Sequence, residues 1–172
     1  MYAIWSSSNG YVTLPAAISR NSTTETGFKV TFNANGGSCS TTELIATNTR
    51  SYAFSKWAQG SVSGTKYDAA ASFTPTAATT MYATWTESVA NGSIILPTAS
   101  KSGYTFVGWG TSASATSGVT GAYTPNGNVT LYAVYSANGY TVTYNANGYG
   151  TAPANQTKAH DSNLTLQPFI AD

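Results

Sequence analysis

Few side chains in this sequence suit bond-making chemistry. His160 is the single histidine and Cys39 the single cysteine, and the six acids (Glu25, Glu43, Asp68, Glu87, Asp161 and Asp172) are scattered. Nucleophilic catalysis needs a nucleophile, a base within hydrogen-bond reach and a group that orients the base. Asp161 adjoins His160, but neighbouring side chains on an extended segment point to opposite faces, so the two are expected to be poorly placed to pair. A Cys39–His160 dyad would have to join different parts of a repeating chain. The acids lack the spacing of a calcium loop. One cysteine permits neither an intrachain disulfide nor a multi-cysteine zinc site, and no glycine loop suited to phosphate occurs. The expectation is therefore no catalytic residue, no metal, no cofactor and no enzymatic activity.

The aromatic side chains are better candidates for a site. The chain has 4 Trp and 12 Tyr, and sugar-binding surfaces stack their ligands on such rings. Trp57, Trp85 and Trp109 are the candidate ligand-binding residues, for a glycan. The competing role is packing, because large aromatics dominate burial in small modules. Parity bears on the choice. Tyr52 and Phe54 share one face of a strand, as do Tyr104 and Phe106, whereas Trp57 and Trp109 each fall an odd number of residues away. Either a bulge returns each tryptophan to the common face or it covers the opposite one. Gly108 suits a bulge; Lys56, at the equivalent position, does not.

These rings lie on strand patterns that recur. Met1-Tyr2-Ala3-Ile4-Trp5 returns as Met81-Tyr82-Ala83-Thr84-Trp85 and as Leu131-Tyr132-Ala133-Val134-Tyr135. Phe28-Lys29-Val30-Thr31-Phe32-Asn33-Ala34-Asn35-Gly36 returns as Tyr140-Thr141-Val142-Thr143-Tyr144-Asn145-Ala146-Asn147-Gly148. In both, apolar and polar residues alternate with the period of a half-buried strand. Asn35-Gly36 and Asn147-Gly148 then supply residues that tolerate the positive φ of a tight turn. Helical periodicity is weak, with one short helix at most, over 41–47. The fold class is mainly β (β-rich α+β at most), arranged as tandem small modules. The boundaries are 1–26 for the end of a preceding repeat plus a partial opening, 27–86 for a complete repeat, 87–136 for a shorter one, and 137–172 for the opening half of a third.

Composition narrows the partners. Seven basic and six acidic residues give a net charge of +1, which offers no footprint for nucleic acid. No apolar run approaches the ~20 residues of a membrane-spanning helix. The segment after Met1 is unlike a signal peptide, so the chain reads as a piece of something longer, with its targeting signals elsewhere.

The phrases Val30-Thr31-Phe32-Asn33-Ala34-Asn35-Gly36-Gly37, Gly103-Tyr104-Thr105-Phe106-Val107-Gly108-Trp109, Tyr123-Thr124-Pro125 and Val129-Thr130-Leu131-Tyr132-Ala133-Val134-Tyr135 together resemble the Listeria–Bacteroides repeat family, which includes the internalin B-repeat. The resemblance implies β-grasp-like modules in tandem within large bacterial surface or secreted proteins, and no catalytic residues. It implies an extracellular or cell-surface location and an adhesin-like stalk that contacts a protein or host-surface ligand. The 93–135 unit lacks the Asn-Ala-Asn-Gly hairpin, so it either lacks a strand or takes one from a neighbour. Strand exchange between molecules would also permit head-to-tail self-association.

Overall fold

The computed structural model describes residues 10–168; the aromatic segment 1–5 and Asp172 lie outside them. Among the described residues there is no helix, and twelve strands follow in chain order: β1 (Val12–Thr13), β2 (Thr23–Asn33), β3 (Glu43–Gln59), β4 (Lys66–Tyr67), β5 (Ser72–Phe73), β6 (Met81–Ala90), β7 (Ile94–Ile95), β8 (Tyr104–Gly110), β9 (Ala122–Tyr123), β10 (Val129–Ala137), β11 (Gly139–Val142) and β12 (Gln156–Ala159). The protein is mainly β.

The short helix expected over 41–47 does not form, and β3 begins there instead. Leu44 is half-buried, Ile45 is 52% exposed and Ala46 is fully buried. That alternation is the signature of a strand with one face inward. The amide of Phe32 donates to the Thr42 carbonyl across 2.8 Å, so the segment closes a hairpin onto β2.

The chain divides into two compact units that cut across its repeat periods. Unit 1 combines the residues through Gly27 with Thr47–Gly92; unit 2 combines Phe28–Ala46 with the chain from Ser93 onward. In unit 1, β3 pairs antiparallel with β6 from Thr49↔Ala90 to Gln59↔Met81, β4 joins β3 at Trp57 and Ala58, and β1 pairs with β5. Arg50 donates to Glu25 on β2 and Glu87 on β6, at 3.1 and 2.8 Å, clamping this end of the sheet.

Unit 2 repeats these pairings and adds a strand at the edge of its sheet. β8 and β10 pair antiparallel, and β7 pairs with β9 as β1 does with β5. The free edge of β10 then receives β2 in parallel, with Val129↔Val30, Thr130↔Thr31, Leu131↔Phe32 and Tyr132↔Asn33 in register. The shorter repeat thus takes a strand from the hairpin of the longer one. Val30, Phe32 and Ala46 from that hairpin join Ile94, Leu96, Ala99, Trp109, Leu131 and Ala133 in a common core. The turn forms as the Asn-Gly pair dictates: Asn35 and Gly36 sit at φ 49° and 81°, and Asn33 Oδ1 accepts from the Asn35 amide at 2.9 Å.

Each unit contains a bulge, the first of the two alternatives that parity left open. Ser55 is the extra residue between the Phe54↔Trp85 and Lys56↔Thr84 pairs, and Val107 the extra one between Phe106↔Tyr135 and Gly108↔Val134. At Gly108 a Cβ would lie 2.8 Å from the Gly118 backbone, so glycine is needed there for close approach. Lys56 manages the same bulge by another device: its amide donates to Thr84 Oγ1 at 3.2 Å, and the Thr84 hydroxyl donates back to the Lys56 carbonyl at 2.8 Å. A bulge frees backbone groups from the ladder, and the threonine satisfies both. Replacing Thr84 with valine, the residue type at the equivalent Val134, should lower stability by about 1–2 kcal/mol, as expected when a part-buried group loses its partner. Urea denaturation of the full chain measures this as a lower midpoint at unchanged slope.

Candidate functional site

The bulges bring the aromatic rings together in two equivalent clusters. In unit 1, Phe54 lies 5.3 Å from Trp57 and meets Trp85 edge-on at 6.0 Å. In unit 2, Phe106 lies 5.7 Å from Trp109 and meets Tyr135 edge-on at 6.0 Å. Both tryptophans use their single polar atom identically. The Trp57 indole N–H donates to the Pro15 carbonyl at 3.0 Å, and the Trp109 indole N–H to the Pro97 carbonyl at 2.7 Å. The small strand that runs into each Leu-Pro dipeptide is thereby tied to the aromatic strand, and the indole N–H is satisfied away from water.

The clusters differ in cover. Phe32, delivered by β2, packs 4.8 Å from Trp109, which is 1% exposed. Trp57 and Trp85 are only half-buried. Of the three tryptophans singled out from sequence, Trp57 and Trp85 share one cluster and Trp109 stands in the core of the other. The bulge returns Trp57 and Trp109 to the face of Phe54 and Phe106, and Lys56 does not prevent it.

Cations cover the tyrosines two residues before Phe54 and Phe106. The Arg20 guanidinium lies 3.7 Å above the Tyr52 ring, and Lys101 Nζ lies 4.3 Å above Tyr104. Sequence reasoning passed over both residues. Their signal was alignment on the Leu-Pro openings: Arg20 follows Pro15 by five residues and Lys101 follows Pro97 by four. The hairpin inserted between Arg20 and Tyr52 hides the match.

His160 and Asp161 depart from expectation. Asp161 adopts φ 54° in a turn, which swings its carboxylate to 3.3 Å from His160 Nε2. The extended geometry assumed for the pair does not hold there. The His160 ring lies edge-on to Tyr104 at 5.2 Å and over Gly103, where a Cβ would come within 2.1 Å of it. Tyr104 Oη donates to the second Asp161 oxygen at 3.1 Å. These contacts seat the end of the β11–β12 hairpin. Cys39 is also committed, its thiol donating to the Thr41 carbonyl at 3.1 Å. Tyr135 Oη donates to the Ala34 and Ser100 carbonyls at 3.1 and 3.3 Å, and its phenol is pushed above the ordinary value by burial and then by Cys39.

Residues 28–84, 86–134 and 140–169 match the Listeria-Bacteroides repeat domain. The chain belongs to this family. Comparison with curated proteins and with solved structures finds no match. The three family matches follow the repeat periods of the sequence, whereas the compact units do not: the Phe28–Ala46 hairpin opens the first match yet packs with the residues of the second. In this Listeria-Bacteroides repeat chain, then, sequence period and packing unit are offset by one hairpin.

Two outcomes test the clusters. Acrylamide should quench Trp57 and Trp85 and leave Trp109 almost untouched, which single-tryptophan variants resolve by fluorescence. The hydrogen bond to Asp161, then burial, then the Asp161 charge raise the Tyr104 phenol above its ordinary value. A raised folded-state value stabilises the fold fully below the unfolded phenol's pKa of about 10, and that contribution is lost as pH rises through the folded value. Asp161→Asn should therefore move Tyr104 ionisation downward, read as tyrosinate absorbance in an alkaline titration.

Proposed function

We infer that this chain is a non-catalytic repeat region of a bacterial extracellular or cell-surface protein, serving as a spacer and as a contact surface for a protein or host ligand. The observation that carries the reading is the duplicated frame. Trp57 and Trp109, each with Phe54 or Phe106 behind it, are spent on the same indole–proline clasp in successive units. Residue types capable of chemistry are tied into structural contacts, as with Cys39 and His160. Membership of a repeat family typical of bacterial surface proteins supports the location. Repetition of one small module gives length and many copies of one surface, which suits reach and multivalent contact.

A second reading rests on Trp57 and Trp85, which share one cluster through Phe54 and are only half-buried. Such a cluster suits stacking against a sugar ring. Acrylamide quenching of the intact chain, repeated across a glycan panel, separates the two. The spacer reading expects the same quenching with every glycan. A glycan that protects Trp57 and Trp85 together would replace it with a carbohydrate-binding module.

A further inference from the structure

The two units differ at one edge, and the chain carries a spare copy of the element that fills it. In unit 2 the outer edge of β10 is occupied by Val30–Asn33 in parallel register. In unit 1 the equivalent strand is β6, where Met81-Tyr82-Ala83 stands for Leu131-Tyr132-Ala133. β6 pairs with β3 along one edge, and among the described residues no strand pairs with the other. Side-chain cover follows the same difference. Leu131 and Trp109 are sealed beneath the hairpin, while Met81 and Trp57 are only half-buried.

The spare element is the β11–β12 hairpin. Its Val142, Thr143, Tyr144, Asn145, Ala146, Asn147 and Gly148 reproduce residues 30–36 with a single change, tyrosine for phenylalanine. Its turn is the same: Asn147 and Gly148 sit at φ 50° and 85°, and Asn145 Oδ1 accepts from the Asn147 amide at 2.7 Å. Yet Val142 and Tyr144 are only half-buried where Val30 and Phe32 are buried, and β11 stops at Val142 where β2 runs on through Asn33. These residues match the Val30–Gly36 donor segment in type and in turn, and they keep exposed area on the side chains whose counterparts are buried. An unpaired strand edge is a template for addition of another strand.

We propose that the outer edge of β6 in one copy of this chain accepts the β11–β12 hairpin of a second copy, in the parallel register that Val30–Asn33 already makes with Val129–Tyr132. The register transfers directly: Val142 opposite Thr79, Thr143 opposite Thr80, Tyr144 opposite Met81 and Asn145 opposite Tyr82. Tyr144 then covers Trp57 as Phe32 covers Trp109. Asn35 Nδ2 donates to the Ala133 carbonyl at 3.1 Å in unit 2, so Asn147 Nδ2 donates to the Ala83 carbonyl across the copies. Donor and acceptor are different surfaces, so the contact is heterologous and grows into a ring or an open chain of copies. The assembly is independent of any ligand of the surface-contact reading.

Sedimentation velocity of the full chain over a wide concentration range tests this. Mass should rise with concentration, and Trp57 should gain protection from acrylamide over the same range. Asn147→Asp keeps a residue that tolerates the positive φ of the turn but exchanges the amide donor for a carboxylate facing a carbonyl. It should weaken association about tenfold, the effect of one lost hydrogen bond at a closed contact. Tyr82→Lys should do the same from the acceptor side. In a Cys39→Ser background, Thr143→Cys mixed with Thr80→Cys should give a disulfide-linked dimer of the two variants, and neither variant alone should. A monomeric mass at every concentration overturns the proposal, as does association unchanged by both Asn147→Asp and Tyr82→Lys, or the absence of the mixed disulfide.

Discussion

An indole N–H donated to a proline carbonyl, made available by a one-residue bulge, is the constraint on which both units are organised. An unbulged strand would turn Trp57 and Trp109 away from the phenylalanine three residues earlier. The extra residue, Ser55 or Val107, restores the face and brings the indole within reach of Pro15 or Pro97. That contact fixes the two-stranded β1–β5 and β7–β9 pairs against the aromatic strand without a helix or a disulfide. The same bulge is supported by glycine in one unit and by a threonine hydroxyl in the other, so the geometry is held and the residue type that permits it varies.

The second consequence of the repeat is that neighbours in sequence do not pack as neighbours. β2 and β3 are long enough to begin in one compact unit and continue in the other. The hairpin residues Val30, Phe32 and Ala46 are buried with the repeat that lacks a hairpin of its own. A chain with 8% charged residues has little to gain from ion pairs; exposed ones contribute little in any case. Its cohesion rests on burying such a strand, whose valine and phenylalanine are each worth roughly 1.5–3 kcal/mol when fully removed from water. Gly37 shows how closely the hairpin is seated, since a Cβ there would meet Tyr135 Oη at 2.2 Å.

Much of this was legible beforehand. The alternation of Phe28, Val30 and Phe32, the Asn-Gly turns and the recurring Tyr-Ala motifs are local patterns, and local patterns yield strands and turns directly. Parity alone demanded a bulge or a change of face at each tryptophan. Residues 41–47 were harder, because Leu44-Ile45-Ala46 is a short apolar run that periodicity cannot assign between helix and strand. Asp161 was hidden for a different reason: a single residue at positive φ reverses the expected direction of its side chain, and nothing in an Asp-Ser pair announces that.

The sequence by itself determined the family, the β character, the turns and the repeat period, because each is carried by residues within a few positions of one another. Tertiary structure alone decided which repeat receives the Phe28–Ala46 hairpin and therefore which tryptophan is sealed. Trp57 and Trp109 close the same Tyr-x-Phe-x-x-Trp pattern, and their different burial comes from a strand 27 and 79 residues away from them, respectively, counted from Val30. Burial depends on which edge that strand pairs with, and hydrogen-bonded edges are indifferent to side-chain identity until the facing cores are brought together.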